Sequence, residues 1–218
     1  MKHSSTLLTI GIVGLALAGF FFYQATKVAQ NPDPNHTHAD FAVWVQDTKL
    51  DFSGNQYMSG ISTDPHSHPT DGPKKYLHLH DGNGSVIHRH KPGLTLGEFV
   101  ASIGFSMTDQ CLTLDEMQYQ KLDASWVSDF AVVPELCNTG KFQWTMVVNG
   151  EAHELDPAYA FADGDKILLS YSASDTVWQD QWNDMTNDAC RYSQTCPWRG
   201  APPTENCIAD PEVPCVAL

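Results

Sequence analysis

Eight of the ten histidines in this 218-residue chain fall between positions 36 and 90, as four His-x-His pairs: His36/His38, His66/His68, His78/His80 and His88/His90. In a strand, residues i and i+2 project to the same face, so each such pair is a two-nitrogen clamp. Imidazole is the commonest metal-ligating side chain and suits zinc, copper, iron and nickel. A single pair on an exposed strand is more often incidental. Four in one window point instead to a bound transition-metal ion, with His36, His38, His78, His80, His88 and His90 as the expected ligands. No free-thiolate pattern and no methionine-rich stretch adjoins them, so Zn2+ or Cu2+ fits the donors better than copper(I).

The elements that must position these residues follow from alternation. Tyr76-Leu-His-Leu-His80 and Val86-Ile-His-Arg-His90 flank Asp81-Gly-Asn-Gly84, which signals a β-hairpin. A three-residue loop Gly82-Asn-Gly84, with Gly84 left-handed, sets His78 opposite His88 and gathers four imidazoles on one face. A two- or four-residue loop puts the two pairs on opposite faces. The first arrangement is the expectation. An EF-hand reading of Asp81–Gly84 fails, because Leu79 and His90 would occupy positions that require carboxylates.

Upstream, Asn35 to Val45 alternates so that His36, His38 and Asp40 share one face and Phe41, Val43 and Val45 the other. Gln46 to Lys49 forms a turn, and Leu50 to Phe52 returns. Asp64-Pro-His-Ser-His-Pro69 is too proline-rich for a central strand and places His66 and His68 on a loop. After Lys91-Pro-Gly93, a helix is expected over Leu94–Gly104. Thr95 caps it with Glu98 three residues on, Leu96, Phe99, Val100 and Ile103 form its apolar stripe, and Gly104 stops it. Strands follow at Phe142–Val148 and Lys166–Tyr171, around Asn149-Gly150 and Asp163-Gly-Asp165 turns.

Composition bounds the rest. A formal charge of −14 excludes nucleic acid as partner and favours cations. Lys2 precedes an uncharged run from Leu7 to Tyr23, just long enough to span a bilayer. It reads as an uncleaved signal anchor holding the protein to a membrane, with the acidic remainder outside the cytoplasm. A signal peptide cleaved at Ala16-Leu-Ala18 is the alternative. The domain plan is an anchor over 1–30, a histidine-rich β region over 31–93, a helix-and-strand region over 94–174 packing with it as one domain, and a Cys/Trp/Pro-rich tail over 175–218.

The run from Leu94 to Tyr171, with Leu-Gly-Glu-Phe, Val-Asn-Gly and Asp-Gly-Asp-Lys-Ile, resembles the β-grasp modules of the transcobalamin C-terminal type. More closely, His36-Thr-His-Ala-Asp-Phe, Asp51-Phe-Ser53, Gln56-Tyr-Met58, His88-Arg-His90, Leu96-Gly97, Cys111, Cys137 and Val148-Asn-Gly150 resemble an uncharacterised family of membrane-anchored archaeal and bacterial proteins, often loosely labelled protein-disulfide isomerase. The likeness implies an α+β fold: a β-grasp-like mixed sheet with one packed helix, preceded by a histidine-rich hairpin region. The isomerase label lacks its chemistry, because no Cys-x-x-Cys is present. Six cysteines outside the cytoplasm read as three disulfides, for which fifteen pairings exist. The expected pairing is Cys111–Cys137, with Cys190, Cys196, Cys207 and Cys215 pairing among themselves. A short helix is expected over Trp182–Cys190 in the tail.

Three function classes remain. The first is a non-catalytic metal-binding protein that captures, buffers or delivers zinc or copper. The second is a metal-dependent hydrolase or lyase with three histidines and a zinc-bound water, Asp40 or Glu98 serving as proton acceptor or orienting group. The third is a β-grasp recognition module without metal. No Gly-x-Ser-x-Gly elbow, phosphate loop or Cys-His nucleophile pair is present, which sets nucleophilic and nucleotide enzymes aside.

Overall fold

Apolar residues on both faces make the first strand a central one. In the computed structural model, which describes residues 14, 17, 29–59, 73–122, 135–174 and 176–203, the chain divides into two units, Met1–Gln30 and Asn31–Leu218. The second unit begins with β1 (Thr37–Val45), β2 (Thr48–Lys49), β3 (Leu77–His78), β4 (Val86–Arg89) and α1 (Leu96–Ser102). It continues through β5 (Ser106–Met107), β6 (Cys111–Thr113), α2 (Glu116–Lys121), β7 (Glu135–Cys137), β8 (Gln143–Val148), β9 (Glu151–His153) and β10 (Lys166–Ser172). Two short tail helices follow, α3 (Trp178–Asn183) and α4 (Ala189–Tyr192).

The main sheet is mixed, in the order β3-β4-β1-β10-β8-β9, with β2 folded back on the end of β1. β1 runs parallel to β10, and the β4–β1, β3–β4, β8–β10 and β8–β9 pairs are antiparallel. This is an α+β architecture. On one face Ala39, Phe41, Val43 and Val45 join Leu77, Ile87, Ile167 and Leu169 in the main core. Helix α1 closes over that core: Phe99 meets Phe41 edge to face at 5.1 Å, and Thr95 and Glu98 form the expected reciprocal capping box. Gly104, at φ 91°, ends the turn.

A second sheet, β5-β6-β7, sets Cys111 opposite Cys137, and the two form a disulfide as expected. Cys190 pairs with Cys196. Cys207 and Cys215 lie outside the described residues, as do His66, His68 and, apart from helical Gly14 and Leu17, the apolar run Leu7–Tyr23. Among the described residues no helix is long and apolar enough to cross a membrane.

Three local expectations need correction. The hairpin brings His78 opposite His88, but not through a three-residue loop. β3 ends at His78, and Leu79 bridges Met58 instead. The left-handed residues are Asp81 (φ 58°) and Gly82 (φ 68°), not Gly84. Gly84 serves a different need, since a Cβ there would sit 2.6 Å from the Ser53 nitrogen. After β1, the return begins at Thr48 and Lys49 rather than at Leu50, because left-handed Gln46 (φ 53°) closes the turn early. In the tail, the helix expected over Trp182–Cys190 is broken between α3 and α4.

Asp40 explains the break. It is 1% exposed and accepts hydrogen bonds from Thr186 Oγ1 (3.0 Å), Asp188 N (2.7 Å) and Ala189 N (3.2 Å). It thus caps α4 from another strand, pulling 186–189 out of any continuous helix. Trp178 and Trp182 pack against Ala42, Val147 and Leu168 on the second face of the sheet, with Lys166 Nζ 4.5 Å from the Trp182 ring centre. The tail is therefore a layer on the sheet.

Burial pushes the Asp40 carboxyl above its ordinary range, against the lowering effect of Asp188, Thr186 and Ala189. A raised folded-state value stabilises the fold at low pH, an advantage lost as pH climbs through that value. Asp40→Ala leaves the part-buried Asp188 amide and the buried Ala189 amide without an acceptor, and is expected to cost about 2–4 kcal/mol. Urea unfolding and faster proteolysis within residues 176–203 will check this. Asp40→Asn, which keeps an acceptor and carries no charge, is expected to be milder and to flatten the pH dependence of stability.

Candidate metal centre

Strand register alone assembles the histidines. His38 lies opposite His88, and His88 opposite His78, so three adjacent strands present a row of three imidazoles on the face away from the main core. Two residues along, the same alternation brings His36 beside His90. The six rings close into a circuit. Centre-to-centre distances are 4.4 Å for His38–His36, 3.9 Å for His36–His90 and 4.9 Å for His90–His78. They are 5.7 Å for His78–His80, 3.8 Å for His80–His88 and 4.8 Å for His88–His38. All six expected ligands thus meet in one place. His38, His78, His88 and His90 are buried, while His36 and His80 are partly open to solvent. His153 stands exposed on β9, at the opposite edge of the sheet.

One nitrogen each from His36, His38 and His88 lie within 4.8 Å of one another, a geometry that could hold a metal ion. His36 Nε2 and His38 Nε2 are 3.1 Å apart. Two nitrogens bound tetrahedrally at about 2.0–2.1 Å from one zinc sit about 3.3 Å apart, so this pair is already at a ligand bite. A second grouping, Cys111, Glu135 and Cys137, offers no thiolate, because its cysteines are oxidised to a disulfide.

The surrounding hydrogen bonds assign ring tautomers. Ser193 Oγ lies 2.5 Å from Asp163 Oδ1 and 2.8 Å from His38 Nδ1. Burial pushes the Asp163 carboxyl up, but hydrogen bonds from His38 and Ser193 outweigh it and hold the group below its ordinary range. Ionised Asp163 can only accept, so the one serine proton goes to it and His38 Nδ1–H donates to Ser193. His38 Nε2 is then the Lewis base. His78 Nδ1 similarly donates to the Lys74 carbonyl at 2.8 Å, and His80 Nδ1 to Asp81 Oδ2 at 2.7 Å. A ring N–H given to a carbonyl or carboxylate, with the other nitrogen turned inward, is the pattern of a metal-ligating histidine.

Asp163, Ser193 and Tyr192 are absent from the sequence-derived site. Asp163 read as part of a turn, and only the parallel β1–β10 pairing carries it to His38, whose N–H it also accepts at 2.9 Å. Ser193 and Tyr192 come from the tail, and no spacing signals them. The Tyr192 ring covers the cluster at 4.8 Å from His88 and 5.5 Å from His38, and its hydroxyl accepts from Asn83 Nδ2 at 3.0 Å. Asp40 and Glu98, the expected proton acceptors, are engaged elsewhere: Asp40 caps α4 and Glu98 accepts from Thr95 N in the capping box. Fully buried Ser193 donates its hydroxyl proton in a hydrogen bond to Asp163 and accepts from His38, so no base is placed to activate it as a nucleophile.

No protein family, curated protein or solved structure matches the chain. The chemistry rests on its own geometry.

Ser193→Ala removes the acceptor that fixes the His38 ring. Its expected effect is a loss of zinc or copper affinity of about 10–100-fold with the fold intact. Competition against a chromogenic chelator, with circular dichroism as the control, measures it. Asp163→Asn is expected to fall in the same range, and unchanged affinity in both variants would remove the relay from metal binding.

Proposed function

We propose that this protein is a membrane-anchored, extracytoplasmic metal-binding protein that captures, buffers or hands on Zn2+ or Cu2+ through His36, His38 and His88. The carrying observation is the meeting of three imidazole nitrogens within 4.8 Å inside a largely buried circuit of six rings. All-imidazole donors suit these two ions and lack the soft sulfur that copper(I) prefers. The anchor rests on the apolar run Leu7–Tyr23. The location rests on that run and on two disulfides, which persist in oxidising compartments. A β-grasp assignment is supported by helix α1 packed over a mixed sheet whose first and last strands run parallel and adjacent. The likeness to the membrane-anchored family belongs to the same reading.

One observation favours a second reading. Three ligands leave a fourth tetrahedral position, as in zinc enzymes that activate water. Against it, the carboxylates at the cluster, Asp163 and Asp81, stand behind His38 and His80 as orienting groups. Neither is placed to take a proton from a bound water.

Elemental mass spectrometry of the full-length protein, purified oxidised, is expected to find near-stoichiometric zinc or copper. His36→Ala, His38→Ala and His88→Ala are each expected to lose it, and His153→Ala to retain it. Protons compete for imidazole nitrogens whose ordinary pKa is about 6.5, so affinity should fall steadily as pH drops below that value. No bound metal after titration with both ions would end the proposal.

A further inference from the structure

The histidine circuit contains two short nitrogen–nitrogen contacts that share no atom. One is His36 Nε2 to His38 Nε2, at 3.1 Å, within the triad. The other is His80 Nε2 to His88 Nδ1, also at 3.1 Å. Each matches the bite of about 3.3 Å that a tetrahedral ion bound at about 2.0–2.1 Å imposes on two imidazoles. The geometry points to a second, outer site for a divalent transition-metal ion, held by His80 Nε2 and His88 Nδ1. This inference rests on the metal-binding reading of His36, His38 and His88, and extends it to two ions per chain.

The surroundings of His80 are those of a ligand. Its Nδ1 lies 2.7 Å from Asp81 Oδ2, so a carboxylate orients the ring, fixes Nε2 as the donor atom and raises its basicity. Asp81 achieves this from a left-handed backbone at φ 58°, a conformation that aspartate tolerates better than most residues. The His80 side chain is 12% exposed and that of Asp81 56%, whereas His88 is fully buried. The outer site therefore lies on the partly open side of the cluster, and a chain of net charge −14 draws cations toward it.

His88 makes the two sites interdependent. A neutral imidazole has one lone pair, so His88 can serve either the outer ion, through the Nδ1 that faces His80, or the triad ion, and it can hold both at once only by using both ring nitrogens. Serving both requires that it give up its remaining ring proton to solvent, leaving an imidazolate bridge between two cations. With a single ion aboard, no proton need leave, and His88 is the ligand common to both positions. A metal ion arriving at partly open His80 thus has, in His88, a partner already shared with the buried triad.

The test is metal stoichiometry and affinity of the full-length protein, by titration with Zn2+ and with Cu2+. Wild type is expected to bind two ions, the second more weakly and at the cost of an extra proton measurable in weakly buffered solution. His80→Ala is expected to bind one ion, whose retention also shows that the fold survives, and Asp81→Asn to weaken the second ion about 10–100-fold while sparing the first. His38→Gln should do the converse, losing the triad ion and keeping the outer one. A single ion in wild type would overturn the second site while leaving the triad standing, and binding of no ion at all would remove both. A second ion that survives His80→Ala, or that disappears with His66→Ala and His68→Ala, would place it elsewhere and overturn the assignment to His80 and His88.

Discussion

The register of three adjacent strands is the constraint on which the rest of the molecule depends. Because β3, β4 and β1 place His78, His88 and His38 directly opposite one another, six imidazoles crowd together, four of them buried. Six such rings cannot all carry charge, since like charges at these separations in a poorly solvated site repel by several kcal/mol (about 4 kcal/mol at 4 Å for an effective dielectric of 20). Neutral rings each bring one N–H and one lone pair. The protein takes the N–H of His38, His78 and His80 outward, to Ser193, the Lys74 carbonyl and Asp81. That arrangement turns Lewis-basic nitrogens toward the middle. A cation with an appetite for nitrogen is the natural complement of such an interior.

The tail completes the arrangement. Its Asp188 and Ala189 amides are bound by Asp40, which lies two residues along β1 from His38, so the strand that supplies His38 also fixes the tail against it. The Cys190–Cys196 disulfide closes a loop that carries Tyr192, whose ring covers His38 and His88, and Ser193, which sets the tautomer of His38. A short covalent loop of this kind restricts the unfolded chain. Here it also restricts a lid. Residues that look like an appendage in the sequence thereby hold ring orientation at the centre of the molecule.

Much of this was legible in residue order, and the boundary between legible and hidden is physical. The His-x-His pairs, the shared face of His36, His38 and Asp40 and the Thr95–Glu98 capping box all follow from periods of two or from neighbours within four residues, whereas the facing of His78 and His88 was expected from a loop that the chain does not form. Asp163 and Ser193 do not. They stand 125 and 155 residues from His38, and what brings Asp163 there is a parallel strand pairing that no local pattern encodes. Gly84 shows the opposite error. The residue type is needed, but close passage of the Phe52–Ser53 backbone demands it rather than a left-handed turn. Asp40 was placed correctly on the histidine face, yet its role is to hold α4, because three tail donors reach it.

A metal ion at this centre would add a link between strands that the sheet already pairs and, through His38, to the tail. His36 stands just before β1, His38 at its start and His88 on β4, while His38 reaches the tail through Ser193, which also donates to Asp163. Binding to the folded arrangement and not to the open chain adds the binding free energy to stability. The small sheet β5-β6-β7 gains nothing directly, being held by its own cross-strand disulfide. Stabilisation by the ion is thus expected to be local, greatest along β3, β4, the first half of β1 and the 189–196 loop. Hydrogen exchange compared with and without zinc would show protection concentrated in those segments if imidazole lone pairs are what the ion engages. Protection spread evenly across β8, β9 and the second sheet would mean that the ion acts through some other surface.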